Sequence, residues 1–158
     1  KQRPQHDDDD SDNTFVYRRA LVIRPALRTT VKPTDDGYVQ ESAAILFNLA
    51  LAYHLYGLES KSRFLHTALR FYELAFGLRH SSSHPSKGTI IIHHLFDLAL
   101  LNNLGQLHYA IFNFDKSLQC FVHLSEELSC RQQPMEQCDY MGFMLNLTLQ
   151  APTAAPQA

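Results

Sequence analysis

The stretch that most constrains the fold runs from Asn102 to Leu124, NNLGQLHYAIFNFDKSLQCFVHL. Its apolar and small residues recur at steps of three and four, which place side chains on one face of a helix. The pattern predicts a helix, a tight connection at Asn113 and a second helix folded back on the first. We expect Gly105 to allow a close approach of the second helix, with Ser117 facing it and Phe121 filling the space one turn later.

The same spacing returns in the preceding part of the chain, where Gly57 is expected to close the first helix of the pair. Fifteen positions separate Tyr53 from Ala68, whereas nine separate the equivalent residues His108 and Ser117. The six extra residues are expected to lengthen both helices near their turn. Helices are predicted over five segments, from about Tyr38 to Tyr56, Glu59 to Leu78, Thr89 to Phe112, Phe114 to Cys130 and Met135 to Gln150.

An Asn-Leu pair recurs near the middle of three of these helices, at Asn48, Asn103 and Asn146. An asparagine side chain offers one donor and one acceptor side, so it can bond the backbone of a bound peptide. It can equally bond a neighbouring helix and fix the register of the stack. Both explanations remain open from the sequence.

Asn103-Leu104-Gly105 followed by His108 resembles the tetratricopeptide repeat, a helical hairpin of roughly 34 residues. His108, Leu124 and Ser129 stand where that family usually has tyrosine, alanine and proline. The resemblance covers about Tyr38 to Leu149. It implies an all-α fold of about two and a half TPR-like hairpins, with five antiparallel helices in a right-handed stack.

The resemblance further implies a concave face, lined by the first helix of each hairpin, that binds a peptide or helix of another protein as a scaffold or adaptor would. No Lys or Arg lies between Lys32 and Lys61 or between Lys87 and Lys116, so we expect a neutral or apolar partner segment. The implied partner-binding residues are Phe47, Asn48, Leu51, His54, Leu55, Asn102, Asn103, Gln106 and Tyr109.

The composition divides the chain into four parts. Residues 1–14 form an acidic tail that we expect to be disordered, and residues 15–37 form an extended segment and linker. The helical repeat domain spans residues 38–150, and residues 151–158 form a second disordered tail. Residues 15–24 are expected to be extended or β-like, and residues 26–31 could fold back on them as a partner strand. Because an isolated hairpin is marginal in water, residues 15–24 are expected to lean on the helices or pair with another chain.

Self-association is the main alternative function, since about three repeats are usually needed for a stable stack. The last predicted helix lacks its return helix, and a second copy of the chain is one of the ways to cover its open face. A histidine-based metal protein is a less favoured alternative. His93 and His94 are adjacent, so they point about 100° apart on a helix, and His80 and His84 fall in a Ser-rich loop predicted from His80 to Gly88.

No catalytic, cofactor or metal motif is present, so the sequence predicts a protein that is not an enzyme and carries no cofactor. A net charge of -2 leaves no basic surplus for binding nucleic acid. The uncharged run from Ser42 to Leu58 is short for a bilayer, which predicts no membrane insertion. Three cysteines without a CxxC indicate a reducing, intracellular compartment, most simply the cytoplasm.

Overall fold

The computed structural model describes residues 14–22, 35–60, 62–81, 90–130 and 135–150. Regular secondary structure within these ranges is all α-helix, with no strand, and residues 14–22 form neither. The described residues do not include residues 1–13 of the predicted acidic tail, residues 23–34, or the C-terminal tail at residues 151–158. The helices are α1 (Asp35–Glu59), α2 (Arg63–Ser81), α3 (Ile90–Ala110), α4 (Phe114–Cys130) and α5 (Gln137–Gln150).

The helices pack as two hairpins and a single helix, which is consistent with a helical repeat. α1 packs along α2, and α3 packs along α4. Contacts between α2 and α3 join the two hairpins, and α5 rests on α4 and α3. Within the described ranges, α5 has no return helix.

The turn of the second hairpin has the close packing that its spacing predicts. The Ser117 hydroxyl donates a hydrogen bond to the Gly105 carbonyl oxygen at 2.9 Å. A Cβ atom added at Gly105 would lie 2.8 Å from Cζ of Phe121. The prediction that Ser117 faces Gly105 and that Phe121 fills the adjacent space is therefore confirmed.

The first hairpin is longer near its turn, as the six extra residues predict. α1 continues six residues beyond Tyr53, whereas α3 continues two beyond His108. α2 begins five residues before Ala68, and α4 begins three before Ser117. Both connections contain three residues, so the extra length lies in the helices and not in the connection.

The predicted role of Gly57 as the end of α1 is wrong. The helix passes through this residue and ends at Glu59. A Cβ atom at Gly57 would lie 2.6 Å from Cδ2 of Leu65, so the glycine allows α2 to approach α1. α1 also begins at Asp35, three residues before the predicted start at Tyr38.

α3 is the central element of the fold. Its residues from Leu98 to His108 are buried without interruption, because α2, α4, α5 and residues 14–22 surround it. A helix that is buried on all sides loses the amphipathic period of a surface helix. Polar side chains on α3 must therefore find partners inside the protein. No described helix has the length and apolar character required to cross a bilayer.

Candidate functional site

Residues 14–22, which we call the N-terminal segment, lie across α5, α3 and α1 in that order. Three asparagines, one from each of these helices, hold it, and we call Asn48, Asn103 and Asn146 the asparagine ladder. Each ladder side chain accepts a hydrogen bond from the N–H of one segment residue and donates one to the carbonyl oxygen of the same residue. The two distances are 2.9 and 2.6 Å for Asn146 with Phe15, 2.9 and 3.0 Å for Asn103 with Tyr17, and 2.8 and 2.9 Å for Asn48 with Leu21.

The bonding pattern is that of an extended main chain. In an extended backbone the N–H and C=O of one residue point to the same side, and residues two apart point the same way. Phe15 and Tyr17 follow this rule. All six bonds are made to main-chain atoms, so the ladder recognises backbone conformation and does not read side chains.

The ladder also ties the helices to each other. Asn103 Nδ2 donates to the Tyr72 hydroxyl at 3.0 Å, which joins α3 to α2. Asn146 Nδ2 donates to Asn102 Oδ1 at 2.7 Å, which joins α5 to α3. Asn102 Nδ2 in turn donates to Asn103 Oδ1 and to the Phe15 carbonyl oxygen, both at 3.1 Å. Asn103 and Asn146 thus bond neighbouring helices, as one of the two explanations requires, and they are buried. The backbone that all three asparagines bond is the chain's own N-terminal segment.

A small residue precedes each ladder asparagine by four positions, namely Ala44, Ala99 and Gly142. Four residues are about one helical turn, so each small residue lies beside its asparagine on the same helical face. All three are buried. At Gly142 an added Cβ atom would overlap the ring of Phe15. The repeated pattern of small residue, three others and Asn-Leu is a signal for the site that the sequence analysis missed.

Aromatic rings of the segment pack into the helices beside the ladder. The Phe15 ring meets Phe143 edge-on with ring centroids 5.6 Å apart. The Tyr17 ring stacks on Phe143 at 6.1 Å and meets Phe47 at 6.4 Å. Burial raises the pKa of the Tyr17 hydroxyl, against the opposing charge of Arg19. The segment is therefore a packed part of the fold at Phe15 and Tyr17.

A charged contact follows two residues after Tyr17. The Arg19 guanidinium pairs with Glu136 at 2.6 Å and with Asp139, and it lies 5.5 Å from the centre of the Tyr17 ring. Burial raises the pKa of the Asp139 carboxyl, although the Arg19 charge opposes this. The hydrogen bond from Arg19 lowers the pKa of Glu136. An acidic pair, just before and within the first turn of α5, therefore lies beside the segment, whereas the sequence predicted neutral or apolar surroundings for a partner.

Four of the residues predicted to bind a partner are in contact with the segment. Asn48, Asn102 and Asn103 bond its backbone, and Phe47 meets the Tyr17 ring. The other five predicted residues are Leu51, His54, Leu55, Gln106 and Tyr109. Leu51, His54 and Gln106 are buried, and Leu55 is half-buried. The His54 ring meets Tyr72 edge-on with ring centroids 6.0 Å apart, and the ring of the exposed Tyr109 lies 5.4 Å from that of Phe114.

Two of these predicted residues bury polar atoms that have no hydrogen-bond partner in the described part of the chain, His54 Nδ1 and Gln106 Nε2. Burial, with a smaller contribution from the Arg18 charge, lowers the pKa of His54 to about 4. His54 is therefore neutral near pH 7 and packs as an apolar ring.

The described residues contain no group of three or more His, Cys, Asp or Glu side chains that could hold a metal ion. His94 Nδ1 lies 3.7 Å from Glu127 Oε2. The prediction that His80 lies in a loop is wrong, since α2 continues to Ser81 and the His80 ring stacks on Phe76 with ring centroids 4.0 Å apart. His84 and the His93 side chain, which belong to the metal alternative, lie outside the described part of the structure.

Comparison with protein-family models, with curated proteins and with solved structures gave no match. The resemblance to the tetratricopeptide repeat therefore depends on the residue spacing in this chain alone.

Proposed function

We propose that this chain is a non-catalytic protein–protein interaction module that binds an extended peptide segment along the asparagine ladder. The proposal includes the TPR-like arrangement in a right-handed stack and a scaffold or adaptor role. The observation that carries it is the pairing of each ladder asparagine with the N–H and C=O of a single residue. Such pairing suits any extended chain with compatible side chains, and binding modes that use main-chain hydrogen bonds are common in peptide recognition.

In this structure the ladder is occupied by the chain's own N-terminal segment. Leu21, the last segment residue on the ladder, precedes the first residue of α1 by fourteen positions. On this proposal, the segment acts as a peptide ligand that is attached to its own receptor. A partner would bind by taking its place, and the main-chain character of the ladder supports that exchange.

The experiment tests whether the ladder accepts a peptide in trans. A site-specific protease sequence is inserted after Leu27 in the full chain, and the purified protein is cut, which makes residues 1–27 a separable fragment. A fluorescent peptide with the sequence of residues 11–24 is then titrated, and its anisotropy is measured. We expect saturable binding to the cut chain. Binding to the uncut chain should be at least tenfold weaker, because an attached ligand acts at an effective concentration on the order of mM.

The substitution Asn48→Asp tests whether the peptide binds through the asparagine ladder. The carboxylate still accepts from the Leu21 N–H but cannot donate to the Leu21 carbonyl oxygen. The two hydrogen bonds between Asn48 and Leu21 attach the segment rather than a second helix, so the helices should remain folded. Weaker peptide binding is expected. If the cut chain never exchanges its fragment and binds no peptide, the segment is a permanent part of the fold and the proposal is wrong.

Self-association through α5 is the second candidate function. The face of α5 that lies away from α3 and α4 is apolar and exposed, with Tyr140, Met141, Met144, Leu145 and Leu149 on it. Met141 has 62% of its surface accessible. Sedimentation over a hundredfold range of concentration tests this. A dimer in the wild type that the double substitution Met141→Lys and Leu145→Lys abolishes supports it, and a monomer throughout excludes it.

A reducing intracellular compartment, such as the cytoplasm, remains part of the proposal. Cys120, Cys130 and Cys138 are free thiols, and two of them are exposed. The net charge of -2 favours a protein partner over a nucleic acid.

A further inference from the structure

We infer that the surface along the asparagine ladder, which we call the groove, selects partner segments with the pattern aromatic, aliphatic, aromatic, any residue, arginine, with the N-terminal end at α5. This inference depends on the proposed function and adds the chemistry of the partner. The ladder supplies the affinity for main chain. Three side-chain sites, occupied in this structure by Phe15, Tyr17 and Arg19, supply the selection.

The first site takes an aromatic ring over a glycine. Gly142 leaves room for the Phe15 ring, since a Cβ atom there would overlap it. Phe143, on the next position of α5, closes the site edge-on at 5.6 Å. The Phe15 ring fills this space, and a small aliphatic side chain would leave part of it empty, with the loss of contacts that a cavity brings.

The second site holds a ring between two aromatic residues. Tyr17 stacks on Phe143 and meets Phe47 edge-on, so one ring contacts both α5 and α1. Tyr17 is also one of the most buried residues in the segment. Aromatic pairs of this kind contribute beyond the area that they bury. The second site therefore requires a ring, and its place beside Asn103 couples it to the centre of the ladder.

The third site is acidic and partly enclosed. The Asp139 side chain is 7% exposed, and the Glu136 side chain is 65% exposed. A buried carboxylate needs a charged or hydrogen-bonding partner. Arg19 reaches both carboxylates while it lies over the Tyr17 ring. A planar guanidinium can make two ion pairs and stack at once, which an ammonium group cannot do equally well.

The three sites have the spacing of an extended chain. Residues 15, 17 and 19 alternate with 16, 18 and 20, so their side chains share one side of an extended backbone. On the other side, Arg18 and Ala20 are exposed, whereas Val16 is buried and restricts the pattern to an aliphatic residue at that position. The two arginines therefore form an internal comparison, because Arg19 forms ion pairs with Glu136 and Asp139 and Arg18 forms none with a described residue. The partner is an extended segment of another protein that displaces the chain's own copy of this pattern.

The test uses the full chain cut after Leu27 and a set of fluorescent peptides based on residues 11–24. The informative pair is Arg19→Glu against Arg18→Glu, because the two peptides have the same composition and net charge. We expect Arg19→Glu to weaken binding at least tenfold and Arg18→Glu to weaken it less than threefold. Phe15→Ala and Tyr17→Ala should each weaken binding at least tenfold. Arg19→Lys should fall between the wild type and Arg19→Glu.

A variant of the protein tests whether the acidic pair, Glu136 and Asp139, selects the arginine of the peptide. In the Asp139→Asn chain, the difference in affinity between the wild-type and Arg19→Glu peptides should shrink at least threefold. Circular dichroism confirms that this variant is folded. Equal affinities for Arg19→Glu and Arg18→Glu, with the wild-type peptide still bound, would overturn the pattern and leave the proposed function intact. Failure of every peptide to bind would reject the proposed function itself, and this inference with it.

Discussion

Asn103 and Tyr17 are 86 positions apart in the chain and exchange two hydrogen bonds, one in each direction between side chain and backbone. Asn103 also donates to the Tyr72 hydroxyl and accepts from Asn102. One buried amide thus joins α2, α3 and the N-terminal segment. A side chain with this many partners affects the stability of the fold and the binding of the segment together.

Replacing Asn103 by alanine should lower the free energy of unfolding by about 3 kcal/mol, because several buried groups lose their hydrogen-bond partner at once. Asn48→Ala should lower it by only about 1 kcal/mol, since Asn48 is half-buried and its two hydrogen bonds both go to Leu21. Urea denaturation followed by circular dichroism measures both. Similar losses for the two variants would argue against the central position of Asn103.

Gly105→Ala should destabilise the protein by about 1 to 3 kcal/mol, because the added methyl group meets the Phe121 ring and overpacking has this cost. The clash has to exceed the gain of about 1 kcal/mol that alanine has over glycine inside a helix. Thermal melting of the variant measures the net effect.

Gly77→Ala is the control for this prediction. Gly77 also lies inside a helix, and nothing comes within 4 Å of a Cβ atom placed there. It should stabilise the protein by about 0.5 to 1 kcal/mol. Opposite signs for the two substitutions are expected, and stabilisation by both would show that α4 does not press closely against α3 at Gly105.

Phe112→Gly should stabilise the protein by about 1 kcal/mol, since a left-handed backbone is unfavourable for a residue with a Cβ atom. Phe112 has a φ of 62° and is 81% exposed. The Asn113 N–H donates to the His108 carbonyl oxygen at 2.8 Å and the Phe112 N–H to that of Tyr109 at 2.9 Å. This is the bonding of a Schellman motif, where glycine is usual.

The melting temperature of Phe112→Ala separates backbone strain from the exposed ring. Alanine keeps the unfavourable φ and removes the ring, so its stability should stay within about 0.5 kcal/mol of the wild type, as for other surface changes. An equal gain from alanine and glycine would attribute the effect to the ring.

His54 should make the protein less stable as the pH falls from about 6.5 to about 4. Its pKa is lowered to about 4 in the folded chain, so between these pH values the unfolded chain binds more protons and is stabilised relative to the folded one. Between pH 7.5 and pH 5.0 the wild type should lose about 2 kcal/mol more than His54→Gln. Urea midpoints at the two pH values measure the difference.

His108 does not interfere with that comparison. Its pKa is also lowered by burial, but it is present in both chains and its contribution cancels. Equal losses in the wild type and in His54→Gln would mean that the His54 ring is accessible to protons in the folded state.

The helices were predictable because their determinants are local. Steps of three and four located all five, and the offset between Tyr53 and Ala68 gave the extra length of the first hairpin. The end of α1 was not predicted, since glycine breaks a helix in one setting and admits a neighbouring helix in another. Only the position of Leu65 distinguishes these cases at Gly57.

The site was predictable in part. The recurrence of Asn-Leu indicated a surface with donor and acceptor sides, but the sequence does not say which backbone they meet. Phe15 and Asn146 lie 131 positions apart, and no periodicity connects residues so distant. The acidic pair was not predicted for the same reason, because Glu136 and Asp139 form a site only where the fold brings them next to Arg19.

The ladder also has a consequence for alignment of the bound chain. Every residue except proline has the same backbone N–H and C=O, so an extended segment that is shifted along the ladder by two residues could form hydrogen bonds of the same kind. The ring over Gly142 and the guanidinium at Asp139 are what distinguish one alignment from the next. Substitutions at Gly142 or Asp139 should therefore first give a segment that is bound in a shifted register, and only larger disruption should release the segment.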